Sequence, residues 1–147
     1  MYRRATAADL PALAALYALC ARTLGPQVYS PAQVAAWARF ASDGPAFADY
    51  VLGATTWVAG DDVPEGFCGA DAGGELRSLY VHPRRMRQGL GSALLAHAIG
   101  ASGCDRLAAW ATPISKPVFE RAGFRLERIV TETFQGVVFD RFRMVRP

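Results

Sequence analysis

HPRRMRQGLGSALL, residues 82–95, is the stretch that most restricts the fold of this chain. It joins a strand predicted over 75–81 to a helix predicted from Ser92 onward. Because the first N–H groups of a helix have no partner within it, this junction favours the binding of an anion. Gly89 and Gly91 lie at the junction, where a Cβ would stand between the amides and a phosphate oxygen. The stretch therefore predicts a seat for a pyrophosphate.

Two common nucleotide-binding motifs do not fit this stretch. A dinucleotide fingerprint would place a third glycine at position 94, where this chain has Leu94. A Walker A motif would end in Gly-Lys followed by Ser or Thr, and that ending is absent from the sequence stretch. We therefore expect an acyl-carrier nucleotide as the ligand.

The composition indicates one soluble globular domain over residues 1–147, since 52% of the residues are apolar and 20% are charged. The three cysteines lack a Cys-x-x-Cys spacing and are accompanied by only two histidines, so we expect reduced thiols and no metal site. The net charge of +3 fits an anionic small ligand or a weak preference for nucleic acid. Nucleic acid is the least expected partner, because the only concentrated group of basic residues, Arg84, Arg85 and Arg87, lies next to the glycine pair.

A membrane location is not expected from the sequence. No run approaches the roughly 18 uninterrupted apolar residues of a membrane helix. The first residues, MYRRATAADLPALAAL, show neither the apolar region nor the cleavage pattern of a signal peptide. We therefore expect a cytoplasmic protein.

The remaining pattern predicts one α/β domain with a mixed sheet. Strands are predicted at 2–5, 53–60, 67–72, 75–81, 107–111, 126–134 and 137–145. Helices are predicted between Asp9 and Gly25, from Pro31 through Phe40, at 92–103 and at 116–122.

The run LYVHPRRMRQGLGSALL, followed by PVFERAGFRL, resembles the GNAT superfamily of acetyl-CoA-dependent N-acetyltransferases. The resemblance covers the whole chain in the order of its elements and is sharpest over 75–125. The central motif of this family is Gln or Arg, two residues, Gly, one residue, then Gly or Ala. Gly89 and Gly91 match its second half, but Met86 stands at its first position. Since the family holds the pyrophosphate mainly through backbone amides, we expect Met86 to weaken the site rather than abolish it.

The resemblance implies a fold and a place for the cosubstrate. The fold is a mostly antiparallel sheet of six to seven strands, flanked by about four helices, whose central strands 75–81 and 107–111 splay apart around acetyl-CoA. The pantetheine would add to the edge of strand 75–81 like a further strand. The acceptor would come from the opposite side, between the N-terminal helices and the C-terminal hairpin. The implied cofactor-binding residues are Leu79, Val81, Met86, Arg87, Gln88, Gly89, Leu90, Gly91, Ser92 and Thr112.

The resemblance also implies the reaction, direct attack of a primary amine of a small molecule or protein on the thioester in a ternary complex. An alkyl amine with a pKa of about 10.4 is almost entirely protonated at pH 7, so a base must remove a proton. Counted back from the glycine pair without gaps, Glu75 falls on the catalytic glutamate of histone acetyltransferase members; the alternative is a solvated glutamate at the start of a strand. Tyr80 is the second catalytic candidate. No metal is implied, and a homodimer is one expected assembly because dimers are common among similar proteins.

Phe119 departs from the family pattern. Many members carry a tyrosine there, which protonates the departing CoA thiolate, and phenylalanine cannot donate a proton. Either another hydroxyl such as that of Tyr80 or Ser115 substitutes, or no acid is used, or the protein binds CoA or a partner without turnover. Thr112 is a second departure, since the family often has asparagine there.

Two further sets of residues are less specific. Five aromatic residues either line an acceptor pocket or belong to the core: Tyr17, Tyr29, Trp37, Phe40 and Trp57. Four acidic residues either attract a cationic amine or are simply solvated: Asp43, Asp49, Asp61 and Asp62.

Overall fold

One seven-stranded sheet organises the computed structural model, which describes residues 2–147. Its strands are β1 (Tyr2–Arg4), β2 (Thr55–Ala59), β3 (Gly66–Ala70), β4 (Glu75–Val81), β5 (Leu107–Ala111), β6 (Arg125–Phe134) and β7 (Val137–Arg146). The strand order is β1-β2-β3-β4-β5-β7-β6, and every neighbouring pair is antiparallel except β4 and β5. The predicted mixed, mostly antiparallel sheet is confirmed.

Five α-helices cover the sheet, one more than the sequence predicts. They are α1 (Leu10–Leu24), α2 (Pro31–Arg39), α3 (Gly44–Leu52), α4 (Leu90–Ser102) and α5 (Lys116–Arg121). The additional helix is α3, which begins with Gly44 and Pro45 and so looks like a loop in the sequence. Proline is tolerated in the first turn of a helix, where its missing N–H would have no partner anyway.

Many strand and helix ends differ from the predictions by one or two residues, and two of the helix ends have a clear local cause. Phe40 lies in a 3₁₀ turn, Phe40–Ser42, rather than in α2. The helix expected from Ser92 begins at Leu90, because Gly89 in a left-handed conformation ends the preceding loop there.

The helices form a layer on each face of the sheet. On one face, α1, α2 and α3 bury a cluster that includes Leu13, Trp37 and Phe47. On the other face, α4 and α5 bury a cluster that includes Leu94 and Phe119. Neighbouring strand residues alternate between the two clusters, as the pleat requires: Val58 and Ala59 in β2, and Phe67 and Cys68 in β3.

The parallel pair at the centre of the sheet separates soon after it forms. Strand β4 pairs with β5 only at Glu75 with Ala108 and at Leu76 with Ala109. From residue 77 onward the side of β4 that faces β5 has no strand partner, so the two strands splay apart as predicted.

A β-bulge lies where the separation begins. Ala70 pairs with Leu76 and the preceding residue, Gly69, pairs with Ser78, so Arg77 is the extra residue of β4. Its guanidinium is 3.3 Å from the carboxylate of Asp71 and donates to the carbonyl of Asp49 at 3.0 Å. The Asp49 contact holds the Arg77 side chain against α3. The bulge also reverses the alternation, so that Ser78 and Tyr80 face the α1–α3 layer.

The first helical region passes a length and hydropathy test for a membrane span. Residues 7–27 contain an 18-residue window with a mean hydropathy of 1.2. A core helix of a soluble protein passes the same test, and α1 buries Leu13, Leu16, Tyr17, Cys20 and Ala21 in the core. The pattern is therefore weak evidence for a membrane span.

Asp9 anchors the beginning of α1 to β1. Its carboxylate accepts hydrogen bonds from the Arg3 guanidinium at 2.8 and 2.9 Å and from the Thr6 N–H at 2.8 Å. The Arg3 hydrogen bonds lower the pKa of Asp9 to about 2. Because the folded pKa is below the value of about 3.9 for an unfolded chain, the stabilisation is complete above pH 4 and is lost as the pH falls to 2.

We therefore expect Asp9→Asn to lower the free energy of unfolding by about 1 kcal/mol at pH 7, as is typical of a capping contact on the surface. The difference from the unsubstituted protein should shrink between pH 4 and pH 2 in urea titrations. Asp62→Asn is the matched control, since Asp62 is exposed and makes no hydrogen bond or ion pair within residues 2–147. An Asp9→Asn cost that is the same at pH 7 and pH 2 would contradict this account.

Candidate active site

A cleft of about 710 Å³ opens where β4 and β5 separate. One half is lined by β4, by residues 85–92 and by the beginning of α5. The other half is lined by side chains from α1, α2, α3 and the β6–β7 hairpin. The bulge and the splay therefore create a single cavity that is open to both layers.

Free backbone amides line the first half. The N–H groups of residues 87–92 make no hydrogen bond to any residue between 2 and 147. Arg87 and Gly89 have positive φ values of 61° and 81°, which turn the loop into the first turn of α4. A Cβ on Gly89 would meet no atom within 4 Å, so the space in front of these amides is open. Six successive N–H groups at a helix N-terminus are a candidate anion seat, at the place where the sequence predicts one for a pyrophosphate.

Arginines surround this anion seat. Arg87 and Arg121 line the cleft and form no ion pair with the described residues, so their charges are available to a ligand. Arg85 has a different role, since it pairs with Glu65 at 2.6 Å and donates to Gln88 at 2.9 Å. Gln88 also donates to the carbonyl of Arg84, which closes the loop on itself.

The structure brings eight of the ten predicted cofactor-binding residues to the cleft wall: Leu79, Val81, Met86, Arg87, Gly89, Gly91, Ser92 and Thr112. Gln88 is not on the wall, because its side chain is used inside the loop. Leu90 packs against the core cluster under α4. Their backbone N–H groups belong to the same run of free amides.

Thr112 uses its hydroxyl locally. Its Oγ1 accepts from the N–H groups of Ile114 at 3.2 Å and Ser115 at 3.1 Å. The Ser115 Oγ in turn accepts from the Thr112 N–H at 3.0 Å. These reciprocal bonds shape the turn into α5, so the main contribution of Thr112 is to position the wall that Ser115 and Val118 form.

Cys20 closes the end of the open strand edge. Its thiol donates to the carbonyl of Val81 at 3.2 Å from the α1 side. Burial raises the pKa of this thiol to about 12, so it stays protonated at neutral pH. The Val81 carbonyl therefore already has one partner, and the free part of the edge is centred on Arg77–Tyr80.

Aromatic side chains line the second half of the cleft. Tyr80 lies at its centre, with ring centroids 4.7 Å from Tyr17, 5.2 Å from Phe67 and 6.2 Å from Trp37. The indole Nε1 of Trp37 donates to the Tyr80 hydroxyl at 3.1 Å. Burial raises the pKa of Tyr80, and the Trp37 hydrogen bond opposes that rise. The phenol is therefore protonated at neutral pH and can act as a hydrogen-bond donor.

Comparisons with known proteins agree with this architecture. Residues 53–126 match a family model described as acetyltransferase (GNAT) domain. The chain is 30% identical to the uncharacterized N-acetyltransferase YafP of Escherichia coli over 137 residues, covering 92% of this chain and 88% of the relative. It belongs to the GNAT acetyltransferase family.

Solved structures of GNAT proteins superpose on the whole chain. A GCN5-related N-acetyltransferase from Rhodopseudomonas palustris has a TM-score of 0.91 and 27% identity, over 99% of this chain and 94% of that one. The PaiA N-acetyltransferase of Thermoplasma acidophilum, solved in complex with coenzyme A, has a TM-score of 0.76 and 17% identity, over 99% and 97% of the two chains. The second likeness, at lower identity, shows the fold alone.

Glu75 does not line the cleft of this GNAT domain. It lies at the closed end of β4, where both of its carboxylate oxygens accept hydrogen bonds from Arg143, at 2.7 and 2.9 Å. The bulge at Arg77 separates Glu75 from the open part of the strand edge. This geometry gives no support to Glu75 as a base, and its catalytic role stays a prediction.

Phe119 is buried on the cofactor side of the cleft, against Phe124 with ring centroids 5.1 Å apart. Its environment is apolar, so this position supplies packing and no proton. The hydroxyls of Ser115 and Tyr80 are on the cleft wall. Of the two, that of Ser115 is already used in the turn before α5.

The acceptor half is only partly predictable from the sequence. Four of the five suggested aromatic residues line it, whereas Trp57 packs against His97 elsewhere in the fold. Sequence reasoning missed Tyr50, Phe134, Phe139 and Arg141. Tyr50 is on the unpredicted helix α3, and the other three belong to the hairpin, which reaches the cleft only through the order of strands in the sheet.

We expect Tyr80→Phe to lower the free energy of unfolding by about 1–2 kcal/mol, because it leaves the buried indole N–H of Trp37 without a partner. Urea denaturation measures this cost. The control is a double-mutant cycle with Trp37→Phe: in that background the same change should cost clearly less. Equal costs in both backgrounds would show that the hydrogen bond does not contribute.

Proposed function

We propose that this GNAT protein transfers the acetyl group of acetyl-CoA to a primary amine by direct attack in a ternary complex. The observation that carries the proposal is the continuity of the cleft, which joins an anion seat at one end to an aromatic chamber at the other across an open strand edge. In a reaction between a nucleotide-linked thioester and a second substrate, the thioester bound from the anion seat and the substrate bound in the aromatic chamber must meet at one point. PaiA, which has the same fold, was solved in complex with coenzyme A.

The residues present suit acetyl-CoA. The free amides of residues 87–92 fit a pyrophosphate, and the unpaired guanidinium groups of Arg87 and Arg121 add charge of the opposite sign. The unpaired edge of β4 suits the amide groups of a pantetheine arm, which can bind as an added strand. Met86, at the first position of the family motif, contributes an apolar side chain to the same wall. We assign the missing positive charge to Arg87 and Arg121 instead.

The β4 edge also suits the chemistry. The amine nitrogen attacks the thioester carbonyl, and an N–H group of β4 near Leu79–Val81 stabilises the oxyanion that forms. The C–S bond then breaks to release the CoA thiolate, and the nitrogen loses its proton to solvent. A thiol with a pKa of about 8.5 leaves acceptably as the thiolate, so the absence of a tyrosine at Phe119 does not prevent the reaction. The protonated Tyr80 hydroxyl is the donor that we assign to this thiolate.

The location and assembly of the protein belong to the same proposal. We place it in the cytoplasm as a single GNAT domain, where acetyl-CoA is the cosubstrate and no metal takes part in the attack. Within residues 2–147, no group of three or more His, Cys, Asp or Glu side chains is placed to hold a metal ion. A homodimer remains an expected assembly that size-exclusion chromatography tests.

Phe119 favours one alternative function. A GNAT domain without its usual proton donor could hold CoA, or a partner protein, without turnover. The two functions differ in a single measurable respect, the release of free thiol from acetyl-CoA when an amine is present.

We expect acetyl-CoA and a broad panel of amines to give thiol release above the rate without enzyme, followed with a thiol-reactive dye. Gly89→Val should weaken CoA binding at least about tenfold in calorimetry, because a branched side chain at positive φ strains the loop and fills the space before the amides. Gly100→Ala is the matched control, since Gly100 is exposed within α4 and its added Cβ also meets nothing within 4 Å. Its CoA affinity should be unchanged.

CoA binding without thiol release from any amine would favour the alternative function. Unchanged affinity in Gly89→Val would place the cofactor seat elsewhere.

Glu75→Gln should leave the pH profile of acetyl transfer unaltered, because the Glu75 carboxylate pairs with Arg143 outside the cleft. The same substitution should lower the melting temperature, and Arg143→Gln should lower it similarly. If Glu75→Gln instead slows transfer chiefly at low pH, Glu75 is the base after all.

A further inference from the structure

The charge of the cleft wall has one sign. Five arginines line it: Arg77, Arg85, Arg87, Arg121 and Arg141. No Asp, Glu or His from residues 2–147 lines it. The four acidic residues that could have attracted a cationic amine, at positions 43, 49, 61 and 62, are all outside the cleft wall. A positively charged acceptor therefore finds no carboxylate on the described wall, and the two wall arginines without an ion pair, Arg87 and Arg121, would repel it.

Three of the five arginines on the wall form ion pairs with carboxylates. Asp71 and Asp49 contact Arg77, with closest ion-pair distances of 3.3 and 3.7 Å. Glu132 pairs with Arg141, and Glu65 pairs with Arg85 at 2.6 Å. None of these four carboxylates lines the cleft, and each is paired with a guanidinium that does.

The remaining titratable groups of the wall hold their protons at neutral pH. Burial raises the pKa of Tyr29 to about 12 and that of Cys20 to about 12. Burial likewise raises the pKa of Tyr80, and raises those of Tyr17 and Tyr50 well above the ordinary tyrosine value. These groups can donate hydrogen bonds but cannot accept a proton from the amine. The described wall therefore contains no side chain that can act as a base at pH 7.

This condition restricts the acceptor. An alkyl amine with a pKa of about 10.4 is neutral in only about one molecule in a few thousand at pH 7. A weakly basic amine is already neutral at this pH and needs no base before it attacks. In a cleft without a base, a weakly basic amine is therefore favoured over an alkyl amine, because nearly all of its molecules are already neutral at pH 7.

The shape of the acceptor half adds a second restriction. Trp37 meets Tyr17 and Tyr29 edge to face, with ring centroids 6.5 and 5.7 Å apart, and Tyr29 meets Phe139 in the same way at 5.3 Å. Rings in these orientations present both faces and edges to the cavity, which suits a planar aromatic ligand.

We propose that the acceptor is a weakly basic amine attached to an aromatic ring directly or through one heteroatom, as in an arylamine, an arylhydrazine or an arylhydroxylamine. The neutral nitrogen attacks the thioester carbonyl and forms the N–C bond. The C–S bond breaks, the nitrogen loses its proton to solvent, and the thiolate takes up a proton from Tyr80, which solvent then reprotonates, giving the N-acetyl product and free CoA. This inference rests on the proposed acetyltransferase function and specifies its substrate class.

Phenylhydrazine and benzylamine are a matched pair of probes, because they have the same size and shape and differ strongly in basicity. We expect kcat/KM at pH 7 to be at least about tenfold higher for phenylhydrazine, after subtraction of the rate without enzyme. Its value should be nearly constant from pH 6 to 8. That of benzylamine should rise about tenfold per pH unit, following its neutral fraction.

Val28 offers a variant that tests the charge argument without disturbing the core. Its side chain lines the cleft at the rim and is 40% exposed. Val28→Glu should raise kcat/KM for benzylamine at pH 7 about threefold over Val28→Gln, because it places a carboxylate near the acceptor. Phenylhydrazine should be used equally well by both variants.

Several outcomes would overturn the inference and leave the acetyltransferase function in place. These are benzylamine turnover that matches phenylhydrazine at pH 7 with a flat pH profile, preferred use of putrescine, and equal benzylamine rates in Val28→Glu and Val28→Gln. Thiol release from no amine at all, with CoA bound, would instead overturn the proposed function itself.

Discussion

The contact of Arg77 with Asp71 and the Asp49 carbonyl is the constraint on which the site depends. It holds one extra residue in β4, and the pairing of β4 with β5 ends at the residue before it. A regular β4 would continue its ladder to β5 and fill the centre of the sheet with ordinary hydrogen bonds. The bulge instead leaves an open strand edge next to a loop of free amides.

How much the sequence predicts depends on how local each signal is. The glycine loop is local, since a strand, two glycines and a helix follow one another within residues 75–102, and the structure places it as predicted. The splay and the mostly antiparallel character of the sheet follow from the GNAT resemblance, whereas the strand order comes from the structure. Helix α3 is missed because Gly44 and Pro45 have the composition of a loop, although both are acceptable in a first helical turn.

The acceptor half is predictable only in part, since its residues come together through tertiary structure. Phe134, Phe139 and Arg141 reach the cleft because β7 pairs with β5, a contact that no short sequence pattern indicates. Glu75 shows the opposite difficulty, because a count along the chain gives a specific residue whose carboxylate the structure pairs with Arg143 outside the cleft wall. The charge of the cleft is also not predictable from the sequence. The chain has many acidic residues, and only the fold shows that none of them lines the described cleft wall.

The two halves of the cleft have different origins in the chain. The cofactor half comes from one continuous segment, residues 76–121, whereas the acceptor half comes from the first 50 residues and the last hairpin. Substitutions in α1, α2, α3 or the hairpin can therefore change the chamber without altering the loop that we propose binds the nucleotide. For a gene under selection, this arrangement separates the part of the protein that must stay constant from the part that is free to diversify, so descendants of such a chain can acquire new acceptors while they keep a common acetyl donor.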